Sequence, residues 1–539
     1  MLKINRQSLK LDFRELAPEA IPGEATALLD KGGRMIYASA VDMGVQGIQI
    51  NYYFCFDHQE PYRHTILRAY LDRENPVVQS ITPITSQADW SERELIEFLG
   101  VRVEGHPNPT HLWLPLNWED MYLGGRPEAD HETERINASP PVKLPKENIV
   151  TLPMSAIPYG PYHPAFIESN YLKMSVEDEV VKKADLKLGF NHRSVIKLME
   201  RRDYYKDIFL SERICGLCNS HHVLTFVKAV EDLAGVEAPP KAQLARTLLC
   251  EMERIQSHLM AIGLIGDLTG FRTMLMHSLR VREDMQDGLE AISGQRVTHG
   301  LITIGGIRRD ITASQADFVL SKLKAMKKSV PELFDQCLSN DVLVGRLKDV
   351  GVLTRENAIK LGAIGPTARA SGHRIDVRKN SPYAAYEEVD WDIVSEKSGD
   401  SLARLKVKMG EVLMSMHICE QCCDRIKALS GPILAKVKEM PCAEAVAKTE
   451  PPRGELLYHV ASNGTNTPDF VRIRVPTFLN AHIMLRLIQG GWVGDVPAII
   501  GSIDPCFSCT DRVTIIKKDE QSVVDVRTLG GRRCSTPPG

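Results

Sequence analysis

The sequence predicts an α+β protein, with a small N-terminal α+β domain followed by a large, mainly helical-bundle domain with minor β-structure. Three observations predict it. Strand-like alternation of apolar and polar residues marks the region before residue 120, whereas long capped stretches of helical periodicity dominate after residue 219. Two CxxC pairs, Cys215/Cys218 and Cys506/Cys509, stand more than half the chain apart, which calls for a fold that brings distant loops together.

Composition narrows the class. The chain has 539 residues, 43% hydrophobic and 25% charged, ordinary for soluble globular protein and enough for two or more domains. A formal net charge of −3 without a strong basic stripe gives no case for nucleic acid. Twelve cysteines are too sparse for a disulfide scaffold, and the opening MLKINRQSLKLDF lacks an apolar signal core, so the reducing cytosol is expected. No apolar run reaches the roughly 18 to 20 residues of a membrane helix. Membrane attachment is therefore expected through partner subunits.

The first predicted domain is 1–120. Ile48, Ile50, Tyr52, Phe54 and Phe56 alternate with Gln49, Asn51, Tyr53 and Cys55, the pattern of a strand with one buried face. His64 to Asp72 supplies another strand. Ser91 and Glu94 have capping-box spacing for a short helix that Gly100 ends. His106, beside Pro107, reads as a turn histidine rather than a ligand. Residues 121–149 are polar and rich in Pro, Gly and charge, the composition of a linker.

The second predicted domain is 150–512. Residues 157–190 alternate like a hairpin. HVLTFVKAVEDLAG then has helical spacing and stops at Gly235, and Pro240 suits the first position of a long helix. Further long helices are expected at 271–293, at 313–338 behind the Thr312–Gln315 capping box, and at 400–429, together making a bundle. Cys419, Cys422 and Cys423 on the last of these read as semi-buried core thiols.

The chemistry lies in the CxxC pairs. Their spacing lets both sulfurs of a pair reach one ion, and four thiolates favour Zn, Fe or Ni over Mg or Ca. One reading is a structural four-cysteine zinc site. The long separation supports another, a site inside a large core where a catalytic metal is shielded from water.

The flanks are RxCGxCxxxH, Arg213 to His222, and DPCxxCxxR, Asp504 to Arg512. In both, the chain resembles the large subunits of nickel-iron hydrogenases. More narrowly it resembles the energy-converting, membrane-associated branch of formate hydrogenlyase large-subunit type, which is related to the 49-kDa subunit of complex I. Trp90, Glu92, Arg93, Glu94, Gly100, Gly105, His106 and Pro107 resemble the complex I 30-kDa subunit and imply that 1–120 is a docking domain. Tyr159 to Pro164, GGIRRD at 305–310, residues 371–386, EPPRGE at 450–455, RVPT at 474–477 and GSIDPC at 501–506 follow in the order of the 49-kDa and hydrogenase core. Within them, Asp376 and Arg378 read as scaffold contacts, and His163 equally as a turn or a pocket residue.

The resemblance implies a nickel-iron centre whose iron carries CO and CN ligands. Cys215 and Cys506 would be terminal nickel ligands, Cys218 and Cys509 would bridge nickel to iron, and the proton from dihydrogen would pass first to Cys506. Arg453 matches an arginine over the open metal position, with Asp504 to hold it. Thr477 matches a hydroxyl that hydrogen-bonds cyanide, and His222 closes the first motif. Iron-sulfur clusters are expected only on partners: an iron-sulfur small subunit, beside ferredoxin-like and integral membrane subunits. The implied location is cytoplasmic, peripheral on the inner face of the cell membrane.

Three points stay open in the sequence. Where related chains read HRGxE this one reads HRSVI, so Ile196 replaces the proton-relaying glutamate, leaving Glu200, another path or slow turnover. A reading of another class is a structural or quinone-coupling subunit of a complex I-like NADH dehydrogenase assembly, its cysteines empty or holding zinc. Retention of all four cysteines separates the two. Residues 513–539 are either a strand-forming terminus or, as hydrogenase precursors imply, an extension cut after Arg512 by a maturation endopeptidase.

Overall fold

A computed structural model describes residues 10–57, 63–113, 155–510 except 165, 167, 192 and 438, and 516–517 with 520–523. The expected linker 121–149, His192, Arg512 and most of 513–539 lie outside the described residues. Leu198–Cys509 forms one compact unit, and residues 11–56 with 64–197 contribute to another.

In the smaller unit, β1 (Lys10–Glu15), α1 (Ile21–Asp30), β2 (Arg34–Asp42), β3 (Ile48–Phe56) and β4 (Arg63–Leu71) build a four-stranded sheet in the order β1-β4-β3-β2. β5 (Val77–Gln79), α2 (Asp89–Leu99) and β6 (Arg102–Glu104) follow, with β5 and β6 parallel. Ile48, Ile50, Tyr52, Phe54 and Phe56 share a core with Ile21, Ala25 and Leu28 of α1 and Leu95 of α2. The other face of β3 departs from expectation, because Gln49, Asn51, Tyr53 and Cys55 are buried too. Polar side chains meet one another there: Asn51 Oδ1 accepts from Arg68 at 2.9 Å and Gln49 at 3.3 Å, and the Tyr53 hydroxyl meets Ser39 at 3.0 Å.

The predicted capping box does not form. A 3-10 turn at Ser86–Ala88 runs straight into α2, so Ser91 is already helical, and Glu94 accepts from the Tyr37 hydroxyl at 3.2 Å. Gly100 ends the helix as expected, at φ 65°. His106 is a turn histidine: its Nδ1 accepts from Asn108 N–H at 3.1 Å. β7 (Ser155–Tyr159), β8 (Tyr171–Glu177) and β9 (Val180–Lys187) form an antiparallel sheet that contains the expected hairpin. His163 stacks on Tyr159, ring centroids 3.6 Å apart.

The larger unit is the helical bundle. α3 (Val195–Met199) leads into α4 (Tyr204–Glu212), α5 (Asn219–Ala234), α6 (Pro240–Leu268) and α7 (Arg272–Ser293). The strand pair β10 (Ile302–Thr303) and β11 (Gly306–Ile307) precedes α8 (Ala313–Leu338), whose Thr312–Gln315 capping box forms. Short helices α9 to α12 (Asp341–Leu347, Arg355–Lys360, Gly365–Arg369, Val377–Asn380) lead to α13 (Ser401–Ala428). Next come an antiparallel sheet of β12 (Cys442–Thr449), β13 (Leu456–Asn463) and β14 (Pro468–Arg474), then α14 (Pro476–Ile488), α15 (Val496–Ile503) and α16 (Phe507–Thr510). β15 (Ile516–Lys517) and β16 (Glu520–Val523) pair antiparallel, as the terminal sequence allows.

α6 is the axis of the bundle, packed on α7 and α13 and buried on every face from Ala242 to Leu259. A helix buried all round that carries Arg246, Glu251, Arg254 and His258 needs a partner for each charge. Arg246 is matched by Glu231 at 2.6 Å, Arg378 reaches both Glu251, at 3.1 Å, and Asp376, at 2.7 Å, and Arg369 joins Glu411 and Glu450, each at 2.8 Å. Asp376 and Arg378 are therefore scaffold, as expected. Cys419, Cys422 and Cys423 are fully buried on α13.

Two loops touch backbone to backbone beside this network. A methyl on Gly365 would lie 2.5 Å from Arg453 O, and one on Gly454 would lie 2.8 Å from Gly365 N. Both glycines have positive φ, 62° and 118°. Gly454→Ala is expected to cost more than about 1 kcal/mol, read as a lower urea midpoint. An unchanged midpoint would mean that the loops separate freely.

Candidate metal centre

The first cysteine pair sits between α4 and α5. Asp203 caps α4 by accepting from Lys206 N–H, the chain then turns through Arg213 and Ile214, and Cys218 occupies the N-cap position of α5. The second pair follows α15. That helix ends on Asp504 in the left-handed conformation, φ 61°, a shape that aspartate tolerates better than most residues. Pro505 follows, and Cys506 and Cys509 flank the start and middle of α16.

α13 grips the end of α15. Arg404 Nε donates to Ser502 Oγ at 2.9 Å and Lys408 Nζ to Ser502 O at 2.7 Å. From the other side, Thr477 Oγ1 at the start of α14 accepts the Cys506 N–H at 2.9 Å. The loop is thus fixed by three hydrogen bonds from two helices.

All four thiols are buried, and none is in a disulfide among the described residues. Cys215 and Cys506 sulfurs lie 3.6 Å apart, Cys218 and Cys509 3.9 Å, and Cys506 and Cys509 3.1 Å. Cys215, Cys218 and Cys509 lie within 4.8 Å of one another. Sulfurs on one tetrahedral ion at a metal–sulfur distance of about 2.3 Å would be about 3.7 Å apart. Cys215, Cys218 and Cys509 are therefore spaced as donors to one soft metal, with Cys506 beside them, 3.6 Å from Cys215 and 3.1 Å from Cys509.

The electrostatics agree. Hydrogen bonds from Cys218, Cys506 and Cys509 hold the Cys215 thiol well below its ordinary range, and the Arg453 charge adds to this. Their hydrogen bonds to Cys215, together with burial, push the other three up. Further thiolates beside Cys215 would repel in a buried space. A divalent metal removes that penalty.

Arg453 is held on three sides. Its Nη2 donates to Asp504 Oδ1 at 2.7 Å, its Nε to Asp504 O at 2.8 Å and its Nη1 to Ser257 Oγ at 3.0 Å. Burial raises the Asp504 carboxyl, while Arg453 and Lys408 oppose that rise. His222 stands one turn along α5 from Cys218, with its Nδ1 2.8 Å from the Tyr458 hydroxyl. Every expected site residue of Leu198–Cys509 therefore stands beside the thiols or one hydrogen bond or turn away.

Sequence reasoning missed Ser257, Lys408, His258 and Glu411. Their only signal was polarity on helices otherwise shaped for a core. Glu200 lies just past α3, which stops at Met199, and pairs with Arg472 at 2.7 Å.

Comparisons with known proteins coincide with this architecture. Residues 15–127 match the respiratory-chain NADH dehydrogenase 30 Kd subunit, 268–443 and 433–512 its 49 Kd subunit, and 193–262 the nickel-dependent hydrogenases. Formate hydrogenlyase subunit 5 of Escherichia coli (strain K12) is 33% identical, covering 86% of this chain and 82% of the relative. The carbon monoxide-induced hydrogenase of Rhodospirillum rubrum is 37% identical over 66% of this chain and 99% of its own. Among solved structures, a chain of the membrane-bound sulfane sulfur reductase, an archaeal respiratory membrane complex, has a TM-score of 0.64 and 31% identity, covering 67% of this chain and 98% of that one.

Fold and thiol pocket thus define an oxidoreductase large subunit of the class shared by hydrogenases and complex I. Within it, the chain belongs to the nickel-iron hydrogenase large-subunit family, in the energy-converting membrane-associated branch, with 30-kDa-like and 49-kDa-like regions fused. Its relatives are subunits of multi-subunit membrane complexes. Among the described residues no helix is long and apolar enough to cross a membrane.

Because three thiols are pushed up, metal loading is expected to release protons, and apparent affinity should rise with pH. Titration of the chain with Co²⁺, followed by thiolate charge-transfer absorption at pH 6 and pH 8, checks this. Equal affinities would place the metal on other donors.

Proposed function

We propose that this chain is the catalytic large subunit of a membrane-associated nickel-iron hydrogenase, which cleaves or forms H2 heterolytically. The observation that carries the reading is the convergence of four buried thiols beside a guanidinium fixed by Asp504. A nickel-iron centre with CO and CN ligands, when bound, supplies the Lewis acidity that polarises dihydrogen and keeps the thiols deprotonated.

In this reading Cys215 and Cys506, 3.6 Å apart, would hold the nickel as terminal ligands, and Cys218 and Cys509, 3.9 Å apart, would hold both metals. Cys506 takes the proton at Sγ. Arg453 stays charged throughout, so its field stabilises negative charge developing in front of it. Thr477 uses an oxygen lone pair on Cys506 N–H, leaving its hydroxyl proton to donate to a cyanide nitrogen. His222 braces Cys218 from the next turn. Burial keeps bulk water from the pocket.

Electrons pass to iron-sulfur clusters on a partner small subunit, beside ferredoxin-like and integral membrane subunits that hold the chain at the inner face of the cell membrane. Residues 513–539 are proposed to be cut after Arg512 by a maturation endopeptidase. The matches to the 49 Kd and 30 Kd subunits also support a second reading, a structural or quinone-coupling subunit with zinc or nothing on the thiols.

Metal analysis of the purified complex separates the two: nickel and iron near one each supports catalysis, and zinc alone sinks it. Cys506→Ser is expected to abolish hydrogen evolution, since a hydroxyl is a poor soft-metal ligand; full activity would remove Cys506 from the site. Intact mass is expected to show the nickel-loaded chain ending at Arg512. An active, nickel-loaded chain that keeps residues 513–539 would make the extension permanent.

A further inference from the structure

Around the Arg453–Asp504 pair lie buried polar groups that the chemistry above does not use. Lys408 on α13 is 1% exposed, and among the described residues its ammonium makes one hydrogen bond, to Ser502 O. An ammonium has three donors. Asp504 spends Oδ1 on Arg453, while its buried Oδ2 has no hydrogen-bond partner among the described residues. On the facing helix α6, next to Ser257, His258 gives Nε2 to Glu411 at 2.8 Å, and its buried Nδ1 is also unpartnered among the described residues. Buried polar atoms of this kind are normally completed by internal water.

The groups are close enough to act on one another. Burial pulls Lys408 down to about 8, Asp504 and Glu411 oppose it, and Arg453 and Arg404 assist it. Burial likewise lowers His258 to about 4, with Lys408 and Arg254 adding to the effect and Glu411 working against it. Arg453 stays charged. Lys408 is thus the cation of this set that can exist as a free amine near neutral pH.

A plainer account is that Lys408, with Arg404 one turn earlier, pins Ser502 and so the end of α15. That role needs reach and charge. It does not need a lone pair.

We propose that Lys408 exchanges protons with the metal pocket through internal water held between its amine, Asp504 Oδ2 and His258 Nδ1. The proposal rests on the reading of the chain as a hydrogenase. In one direction an N–H bond of the ammonium breaks, its proton forms an O–H bond on the water beside Asp504, and that water releases one of its own protons toward the metal pocket, leaving a neutral amine. In the other, the water takes up a proton from the pocket and gives one of its own to the amine lone pair, which forms the N–H bond. Asp504 and Arg453 keep their charges, and no electrons move.

Two variants test it in the intact complex. Lys408→Arg keeps the cation but releases no proton near neutral pH, so nickel and iron content should stay at wild-type level. Hydrogen–deuterium exchange should then fall roughly tenfold or more, and the pH profile should lose the limb due to Lys408. An arginine variant with wild-type rate and pH profile would overturn the proposal.

Lys408→Met supplies a readout that needs neither metal nor turnover, and it serves if arginine is too bulky to fold. The folded pKa of Lys408 lies below its unfolded value, so between the two the unfolded chain binds more protons and stability rises with pH. The melting temperature of the full-length wild-type chain should therefore gain on that of Lys408→Met between about pH 7 and pH 10. A constant difference would show that Lys408 does not titrate, overturning the proposal. A wild-type complex without nickel that still shows this gain would defeat the hydrogenase reading instead.

Discussion

The buried arginine–carboxylate network is the constraint on which the rest of the larger unit depends. Arg369, Arg378 and Arg254 join α6, α11, α12 and α13 to the segment that leads to Arg453, through Glu251, Asp376, Glu411, Glu450 and the Glu450 carbonyl. Removing one member of such a set typically costs 3–5 kcal/mol, because an uncompensated charge stays buried. Three guanidinium groups face four carboxylates, and the surplus negative charge shows at one place. Burial and then Asp376 push Glu450 up to about 7 against the pull of Arg369, whereas Arg254 and Arg378 overcome burial to hold Glu251 down to about 2. The network fixes helices that cannot slide past one another without breaking ion pairs, and the thiol pocket is mounted on those helices.

Much of this was legible in the sequence, and the reasons are physical. Pro240, Gly235 and the Thr312–Gln315 box placed helix ends because each acts on the backbone within one turn. The CxxC flanks named the pocket because thiol spacing and soft-metal geometry are local. What stayed hidden was non-local. The buried second face of β3 depends on Arg68 and Ser39 arriving from other strands, and Ser91 lost its capping role to a 3-10 turn three residues upstream. Ser257 and Lys408 carry no motif; only the crossing of α6 and α13 with the loops of Arg453 and Asp504 gives them partners.

Relatives of this chain serve several membrane complexes, and the structure suggests how one scaffold accommodates them. The charge network and the bundle hold their shape through contacts that do not involve the thiols, while the pocket draws on a few side chains at loop ends. A fold of that kind can keep its framework while the loops change their chemistry. The solved sulfane sulfur reductase chain, at 31% identity, shares the fold over 98% of its length.

The two cysteine pairs also differ in when they exist. Cys215 and Cys506 are 291 positions apart, so at about 5–20 residues per second a ribosome needs roughly 15–60 s to deliver the second pair after the first. Throughout that interval Cys215 and Cys218 form an open dithiol, able to hold any soft cation that arrives but unable to enclose it. The grip of α13 on Ser502 cannot close until α15 has emerged. Birth order along the chain therefore makes the second pair a late-arriving clasp on a pocket whose first half is made well before it.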